Sequence, residues 1–299
     1  AVPLPAWLFI ALRALSGATG GVLMIVIPPV ISNVVAPSHR GRANGLAFAG
    51  VGTGFDLSGT AVPAFAASGP APAWLALAAA LAVASVVMMT LLPRSAPPVA
   101  ASRNAPAPAW RRAPAFLGLA AAYCGAAAGY VPHTIFFVDH VARDLGYGLA
   151  IGGWIWVAAG VTAVLAPMLA GLAADRFGYA PVLRVIVGLM AIGAAIPALT
   201  HNLVLLTLSA MMAGGLMVGL GSSTSGRTRE IVGPDAHTAA WALQTVAFAV
   251  IQAAAAYGFT AILAATGSHR LVFAMAGAIM AGGLALEVMT ARMRAPVAD

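Results

Sequence analysis

The sequence predicts an all-α membrane protein with nine transmembrane helices. Of its 299 residues, 61% are hydrophobic and 8% are charged, whereas a soluble domain has about 45–50% and about 25% of these residues. The hydrophobic residues form runs of about 20, the length that crosses a bilayer as a helix. The runs are continuously apolar and lack the alternating pattern of membrane β-strands.

Nine such runs follow one another along the chain. Residues 93–113, between the third and fourth runs, are rich in proline and arginine, and we interpret them as an extended cytoplasmic linker. They separate a partial N-terminal bundle of three helices, residues 1–92, from a C-terminal bundle of six helices, residues 114–299. The runs cover residues 6–30, 43–63, 74–92, 115–138, 151–174, 181–199, 203–224, 238–262 and 271–290.

Arginine is distributed unevenly among the connections, and this predicts the orientation of the chain. The second, fourth, sixth and eighth connections contain only Arg143 and Arg270, which places them outside. We therefore expect a multi-pass protein of the inner membrane with a cytoplasmic C-terminus and an outer N-terminus. The chain begins with Ala1 and its first methionine is Met24, so we interpret it as a fragment. The other connections and the C-terminal tail contain Arg40, Arg42, Arg94, Arg103, Arg111, Arg112, Arg176, Arg184, Arg227, Arg229, Arg292 and Arg294.

Composition and spacing exclude several other classes of protein. The net charge of +7 would suit a nucleic-acid-binding protein, but the arginines are scattered, so we expect no nucleic-acid partner. The single cysteine, Cys124, excludes a disulfide scaffold and a Cys-rich zinc site. The six histidines and eight acidic residues show no metal-binding motif like His-Glu-x-x-His, so we expect no metal and no cofactor.

The hydroxyl side chains from Ser222 to Ser225 raise the remote alternative of a membrane-embedded hydrolase. Such chemistry needs a base within hydrogen-bond reach of the nucleophile. The candidates, His237 and His269, are expected at the membrane edges, and buried hydroxyls can bond to their own helix backbone instead. We therefore expect no enzymatic activity.

Three motifs resemble those of the major facilitator superfamily of transporters. The segment Gly171–Gly178 reads Gly-Leu-Ala-Ala-Asp-Arg-Phe-Gly and resembles the superfamily's Gly-x-x-x-Asp-Arg-x-Gly signature. Arg13-x-x-x-Gly17 is similar to the arginine motif of its fourth helix. The segment Gly129–Phe137, followed by Trp156, resembles the YbfB/YjiJ-type branch.

The resemblance covers nearly the whole chain and implies a solute transporter. It implies a twelve-helix bundle of which this chain has helices four to twelve and lacks the first three. The superfamily joins two six-helix halves by a cytoplasmic connection, and each half contains an inverted three-helix repeat. Tyr179 and Ala180 replace the basic pair usual in the signature, and the second span lacks the antiporter-type Gly-Pro pair, so the coupling mode stays open.

Two charged residues lie within predicted spans, where a charge is costly. Asp56 and Arg13 lie at similar depth, about 10 Å from the outer ends of neighbouring antiparallel helices. This predicts that they face one another or share a water-filled cavity, as a site for a proton or for a charged part of the substrate. The alternative is a structural ion pair that only permits their burial.

The turn between the fifth and sixth spans is a candidate gate. Gly171 would permit close helix crossing, and Asp175 could cap or pair near the start of the next helix. Arg176 and Arg184 could supply its partners. Together with Gly178, this turn could hold one conformation and release it in another, or it could be a charged loop that only fixes the topology.

Polar residues at helical spacing predict a substrate cavity. In the fourth span Tyr130 and His133 flank Pro132, which removes a backbone donor and is expected to break the helix. In the eighth span Gln244 and Gln252 share one face, and buried amides need partners. The alternative for His133 and both glutamines is packing inside the bundle.

Two further predictions concern packing. Gly50, Gly54 and Ser58 fall on one helical face, which we expect to be a close helix contact, and we expect the same of Gly214, Gly215 and Gly219. Glu287, near the end of the last span, is expected to reach the membrane surface or to pair with Arg292.

Taken together, these features predict transport of a small solute by alternating access. The substrate would bind in a polar cavity lined by Arg13, Asp56, Tyr130 and Gln252, and any coupling to protons would use Asp56. The expected partners are the lipid bilayer, the solute and, with such coupling, protons. The main alternative is a truncated membrane protein that does not transport.

Overall fold

The computed structural model describes residues 5–66, 70–91 and 109–291, and these ranges contain helices and turns but no strand. The first three helices are α1 (Ala6–Val34), α2 (Arg40–Ala66) and α3 (Pro70–Leu91). Most of the predicted linker lies outside the described residues, as do Arg94, Arg103, Arg292 and Arg294. Its last part, Ala109–Arg112, is a short 3-10 helix.

The fourth predicted span is helical but interrupted. It contains α4 (Pro114–Gly129), α5 (Val131–Ile135) and α6 (Phe137–Asp139), followed by a π-helical turn, His140–Asp144. Tyr130 and Phe136 separate the three helices. Because Pro132 has no N–H to donate, the regular hydrogen-bond ladder cannot continue through it, and the predicted break is confirmed.

The remaining helices are longer. They are α7 (Leu149–Phe177), α8 (Tyr179–Ala195), α9 (Leu203–Ser209), α10 (Met217–Thr266) and α11 (His269–Thr290). A π-helical turn, Ala210–Gly215, joins α9 to α10. Gly233 has a non-helical backbone (φ 79°, ψ 170°) and precedes Pro234, so α10 consists of two helices that meet there.

Six helices in the described residues are long and apolar enough to cross a membrane. The predicted spans 203–224 and 238–262 both fall in one of them, the run Leu203–Thr266, whose 64 residues would extend about 96 Å if straight. The span at 43–63 lies within α2, and the span at 74–92 overlaps the shorter apolar helix Trp74–Thr90. The all-helical class is confirmed, and the number of nine spans stays a prediction.

The helices pack as a bundle in which α7 and α10 are central. α2 lies along α7, α11 lies between α4 and α8, and α10 contacts α4, α7 and α8. Large apolar side chains cover the outside, for example Leu75 and Leu81 on α3, which are 70% and 69% exposed. An apolar exterior of this extent is stable in lipid rather than in water.

The contact between α2 and α7 depends on glycines. A Cβ at Gly41 would collide with the backbone of Gly171, and a Cβ at Gly45 or Gly52 would collide with the α7 backbone. Because these residues have no side chain, the two helices approach at backbone distance.

The predicted packing face of α2 is therefore wrong. Among the described residues, no atom of another helix lies within 4 Å of the position that a Cβ would take at Gly50 or Gly54, and both glycines are exposed. The side chain of Ser58 lies outside the described residues. On the C-terminal side, Gly215 and Gly219 do lie against α7, as predicted, whereas Gly214 has only ordinary contacts.

Candidate functional site

A cavity of about 190 Å³ lies where α1, α2, α4, α7 and α10 meet. Tyr130 is the predicted site residue that lines it. Its other described lining residues are mostly apolar, so the cavity is more aromatic than the predicted polar site. Its aromatic side chains are Phe48, Tyr123, Tyr130, Trp156, Trp241 and Phe248.

The aromatic rings on one side of the cavity form a continuous cluster of mutually tilted rings between α4 and α10. The ring centroid of Tyr123 lies 5.7 Å from that of Trp241 and 4.6 Å from that of Phe248. Tyr130 extends the cluster, with its ring 6.3 Å from Phe248. Trp241 is fixed by a hydrogen bond from its indole N–H to the Met24 carbonyl oxygen of α1 (2.8 Å).

Phe48 is a lining residue that the sequence analysis missed. It lies on α2 between Gly45 and Gly52, and its ring occupies the space that a Cβ at Gly221 would need. Helical spacing could have predicted Phe48, because it shares the face of α2 on which Gly45 and Gly52 contact α7.

Two of the predicted site residues are brought together. The side-chain amide of Gln252 donates a hydrogen bond to the hydroxyl oxygen of Tyr130, across the contact between α10 and the break after α4. Tyr130 lines the cavity, and the hydrogen bond from Gln252 fixes the position of its hydroxyl group. This arrangement gives the mostly apolar cavity a hydroxyl group with a fixed position.

Gln244 and His133 are buried among protein groups, and neither is among the described residues that line the cavity. The Thr228 hydroxyl donates to the Gln244 side-chain oxygen. His133 Nε2 lies 2.8 Å from the Ser209 hydroxyl, and the His133 ring stacks on Phe137. These contacts support the packing alternative for both residues.

Arg13 and Asp56 each lie against a described residue of another helix. The exposed guanidinium of Arg13 lies over the ring of Trp74, 5.8 Å from its centroid. The carboxylate of Asp56 lies against Gly160 of α7, in the space that a Cβ at Gly160 would fill. The proposed pairing of Arg13 with Asp56 stays a prediction.

Asp175 lies at the end of α7 and caps a helix from the other part of the chain. The backbone N–H of Gly41 donates to its Oδ1 (2.7 Å), and the N–H of Arg42 donates to its Oδ2 (3.0 Å). The Arg42 guanidinium nitrogen Nε is 3.6 Å from the same Oδ2. Both N–H groups belong to the first turn of α2, where free donors and the helix dipole favour a negative charge.

The rest of the predicted gate surrounds this cap. Gly171 provides the close approach to Gly41, and Gly178 ends α7 with a positive φ of 82°, a conformation that side chains disfavour. Arg176 is exposed, and its guanidinium lies over the Phe177 ring. The expectation that Asp175 acts at the start of the following helix is wrong, because its carboxylate caps α2.

Arg184 and Glu287 form an ion pair that the sequence analysis did not expect. Arg184 Nε donates to Glu287 Oε2 (2.7 Å), and a second guanidinium nitrogen lies 3.3 Å from Oε1. The predicted use of Arg184 as a partner of Asp175 is therefore wrong. The partner predicted for Glu287, Arg292, lies outside the described residues.

A histidine lies against the serine cluster, but its hydrogen bonds are not those of a catalytic base. His237, expected at the membrane edge and out of reach, is buried with Nε2 3.1 Å from the Ser225 hydroxyl. The same Nε2 lies 3.0 Å from the Ser225 carbonyl oxygen, so it is the donor there and is not a free base. The other ring nitrogen, Nδ1, is buried and has no hydrogen-bond partner in the described part of the chain, whereas a catalytic histidine is oriented through that atom.

The comparison with protein families finds one that covers almost the whole chain. The family described as an uncharacterised MFS-type transporter YbfB, where MFS stands for major facilitator superfamily, matches residues 1–288. None of the curated proteins compared with the chain matches it.

Proposed function

Because this chain belongs to the YbfB-type family of major facilitator transporters, we propose that it moves a small solute across the membrane by alternating access through the aromatic cavity. The observation that carries this proposal is the cap of Asp175 on α2. It joins α2 to α7 by a few polar contacts at the end of the two helices. A contact of this kind can break and re-form without unfolding either helix.

The energy of this contact suits a reversible gate. Capping a helix with a charged side chain contributes about 1 kcal/mol, which changes an equilibrium about fivefold. The close contact of Gly41 with Gly171 lies beside the cap, so both act on the same end of α2 and α7. Loss of the cap would favour opening of the cavity toward the Asp175 end.

The cavity favours a small solute with an apolar or planar part. Its volume of about 190 Å³ is below the range of about 300–1,000 Å³ typical of drug-sized ligands. Tyr123, Trp241 and Phe248 offer ring faces, and the hydroxyl of Tyr130 offers one polar contact. His133 and Gln244 would then support the cavity wall from within the bundle.

The domain organisation and orientation complete the proposal. In this proposal residues 1–92 belong to an N-terminal bundle and residues 114–299 to a C-terminal bundle, and residues 93–113 connect the two in the cytoplasm. The protein lies in the inner membrane with its C-terminus in the cytoplasm. Arg13 and Asp56 serve as sites for a charged part of the solute or for a coupled proton, since Asp56 is the carboxylate deep within a predicted span.

The test measures access to the cavity from each side of the membrane. Cys124 is the single cysteine, so Cys124→Ala gives a cysteine-free chain, and Thr245→Cys then places one thiol in the cavity. Labelling with a membrane-impermeant maleimide is timed in intact cells and in inside-out vesicles. Alternating access predicts labelling from both sides and about a fivefold faster reaction from the Asp175 side in Asp175→Asn.

The matched control is Asp235→Asn, which removes an exposed acidic residue in the turn at Gly233. It should leave both labelling rates unchanged. Labelling from one side only, unchanged in Asp175→Asn, would contradict alternating access and favour a truncated protein that does not transport.

A further inference from the structure

Three metal-ligating side chains meet at the end of the bundle opposite Asp175. His140 and Asp144 lie one turn apart in the π-helical turn that follows α6, and His269 is the first residue of α11. Asp144 Oδ2 lies 2.7 Å from His140 Nδ1 and 3.3 Å from His269 Nδ1. One ligand atom from each residue lies within 4.8 Å of the other two.

The two imidazoles have nitrogen atoms without a hydrogen-bond partner among the described residues. In His140, which is 3% exposed, this atom is Nε2. In His269 it is both ring nitrogens, although Nδ1 lies close to Asp144. Buried polar atoms are normally paired, so His269 can offer a lone pair to a metal ion, and Nε2 of His140 can carry the ring proton when Nδ1 binds the ion.

We propose that His140, Asp144 and His269 bind one divalent transition-metal ion, with Zn²⁺ as the ion that fits best. Two imidazole nitrogens and one carboxylate are a set that Zn²⁺ prefers, whereas Mg²⁺ and Ca²⁺ prefer oxygen ligands. Bonds of about 2.0–2.1 Å in a tetrahedron put neighbouring ligand atoms about 3.3 Å apart. The distance between His269 Nδ1 and Asp144 Oδ2 already has this value. His140 binds through Nδ1 once the ring proton has moved to Nε2, and Nδ1 must shift by about 0.6 Å from its present 2.7 Å distance to Asp144 Oδ2.

The fourth position is left to water. The three ligands border an open cavity of about 550 Å³, which is also lined by His201 and Arg270. Arg270 is exposed, so water screens its charge, and the nearby Arg143 is paired with Asp139 (2.7 Å). Neither cation therefore prevents a divalent ion from entering.

A bound ion would fasten two parts of the chain that lie far apart in sequence. It would join the turn before α7 to the start of α11, which also contacts α4 and α8. This inference does not depend on transport, because the three ligands are separate from the aromatic cavity and from Asp175.

The test is direct metal binding by the full chain in detergent. The protein is stripped with a chelator, and Zn²⁺ is titrated in competition with a chromogenic indicator. We expect one Zn²⁺ per chain, and at least tenfold weaker binding in His140→Ala, in His269→Ala and in Asp144→Asn. Excess Mg²⁺ should not compete.

The matched controls are His201→Ala, which removes the histidine that lines the same cavity, and His39→Ala at the other end of the molecule. Both should keep the wild-type affinity. Equal Zn²⁺ binding by wild type and by the His140→Ala/His269→Ala double variant would overturn the proposal, and so would loss of binding in His201→Ala.

Substitution with Co²⁺ provides a second measurement that does not depend on variants. A tetrahedral site gives Co²⁺ an intense visible absorption, and Zn²⁺ should displace it. A wild-type protein without this absorption would overturn the tetrahedral site. Gel filtration and tryptophan fluorescence of each variant establish that its fold is intact, so weaker binding reports the loss of a ligand.

Discussion

At the residue scale, the position of the Asp56 side chain depends on a glycine in the neighbouring helix. Gly160 on α7 has no Cβ, and the carboxylate of Asp56 occupies that space. A charged group in the middle of a membrane-spanning helix needs protein around it, because contact with lipid would be costly. The sequence predicted Asp56 as a candidate site residue. It did not predict the contact with Gly160, because the two residues are separated by more than one hundred positions.

Gly160→Ala tests this contact. The added methyl group would collide with the carboxylate, and such overpacking costs about 1–3 kcal/mol. We expect a corresponding loss of thermal stability in detergent, followed by tryptophan fluorescence. Gly153→Ala on the same helix is the control, because its Cβ would meet open space, and it should stabilise α7 by about 0.5–1 kcal/mol. A cost that is not reduced in an Asp56→Ala background would contradict the collision.

The pair of Tyr130 and Gln252 shows what the sequence could predict at this scale. Each is polar within an apolar run, and therefore each was a candidate. Their mutual hydrogen bond depends on how α10 packs against the break after α4. The spacing of residues along one helix does not predict this packing. The same reason explains why the ring of Phe48 was missed.

At the element scale, α8 and α11 are joined by a charged pair inside the bundle. Glu287 is 2% exposed, and both of its carboxylate oxygens face the Arg184 guanidinium. Removing one partner of a buried pair leaves the other charge without compensation. This pair therefore makes the packing of the two helices sensitive to a single substitution.

Glu287→Gln should weaken this contact. We expect a loss of about 2–3 kcal/mol, below the largest values for buried pairs because the Arg184 side chain is 36% exposed. The control is Asp139→Asn, which removes the exposed partner of Arg143 one turn away (2.7 Å) and should cost less than about 1 kcal/mol. Thermal unfolding in detergent measures both, and equal losses would contradict a special role for the pair between helices.

The glycines of α2 explain why the sequence predicted a close contact but chose the wrong face. Gly50 and Gly54 have a spacing of four residues, as do Gly41 and Gly45, so periodicity alone permits either face. The choice is made by α7, whose Gly171 and Pro167 backbone atoms meet Gly41 and Gly45. Which face of α2 packs against another helix is therefore decided by the fold and not by the α2 sequence alone.

At the scale of the whole molecule, α7 connects the two ends that carry the proposed sites. Its 29 residues extend about 43 Å, with Asp175 near its end and the turn of His140 and Asp144 before its start. The sequence predicted the gate because Asp175 and Arg176 form a contiguous motif. It did not predict the histidine site, because His269 is distant in sequence and approaches only when α11 packs on α4 and α8.

The orientation of these two ends is the last testable prediction, and single cysteines in the Cys124→Ala background measure it. Ser38 and Asp235 are exposed in turns at the Asp175 end, and Ala150 is exposed at the opposite end of α7. We expect an impermeant maleimide to label Ala150→Cys in intact cells, and Ser38→Cys and Asp235→Cys only after permeabilisation, because arginine-rich connections stay in the cytoplasm. Three helical crossings separate Ser38 from Ala150 and three more separate Ala150 from Asp235, so labelling of Ser38→Cys and Asp235→Cys on different sides would contradict the predicted spans. The reverse pattern at all three positions would keep the number of crossings and invert the protein, which would place the proposed metal site in the cytoplasm.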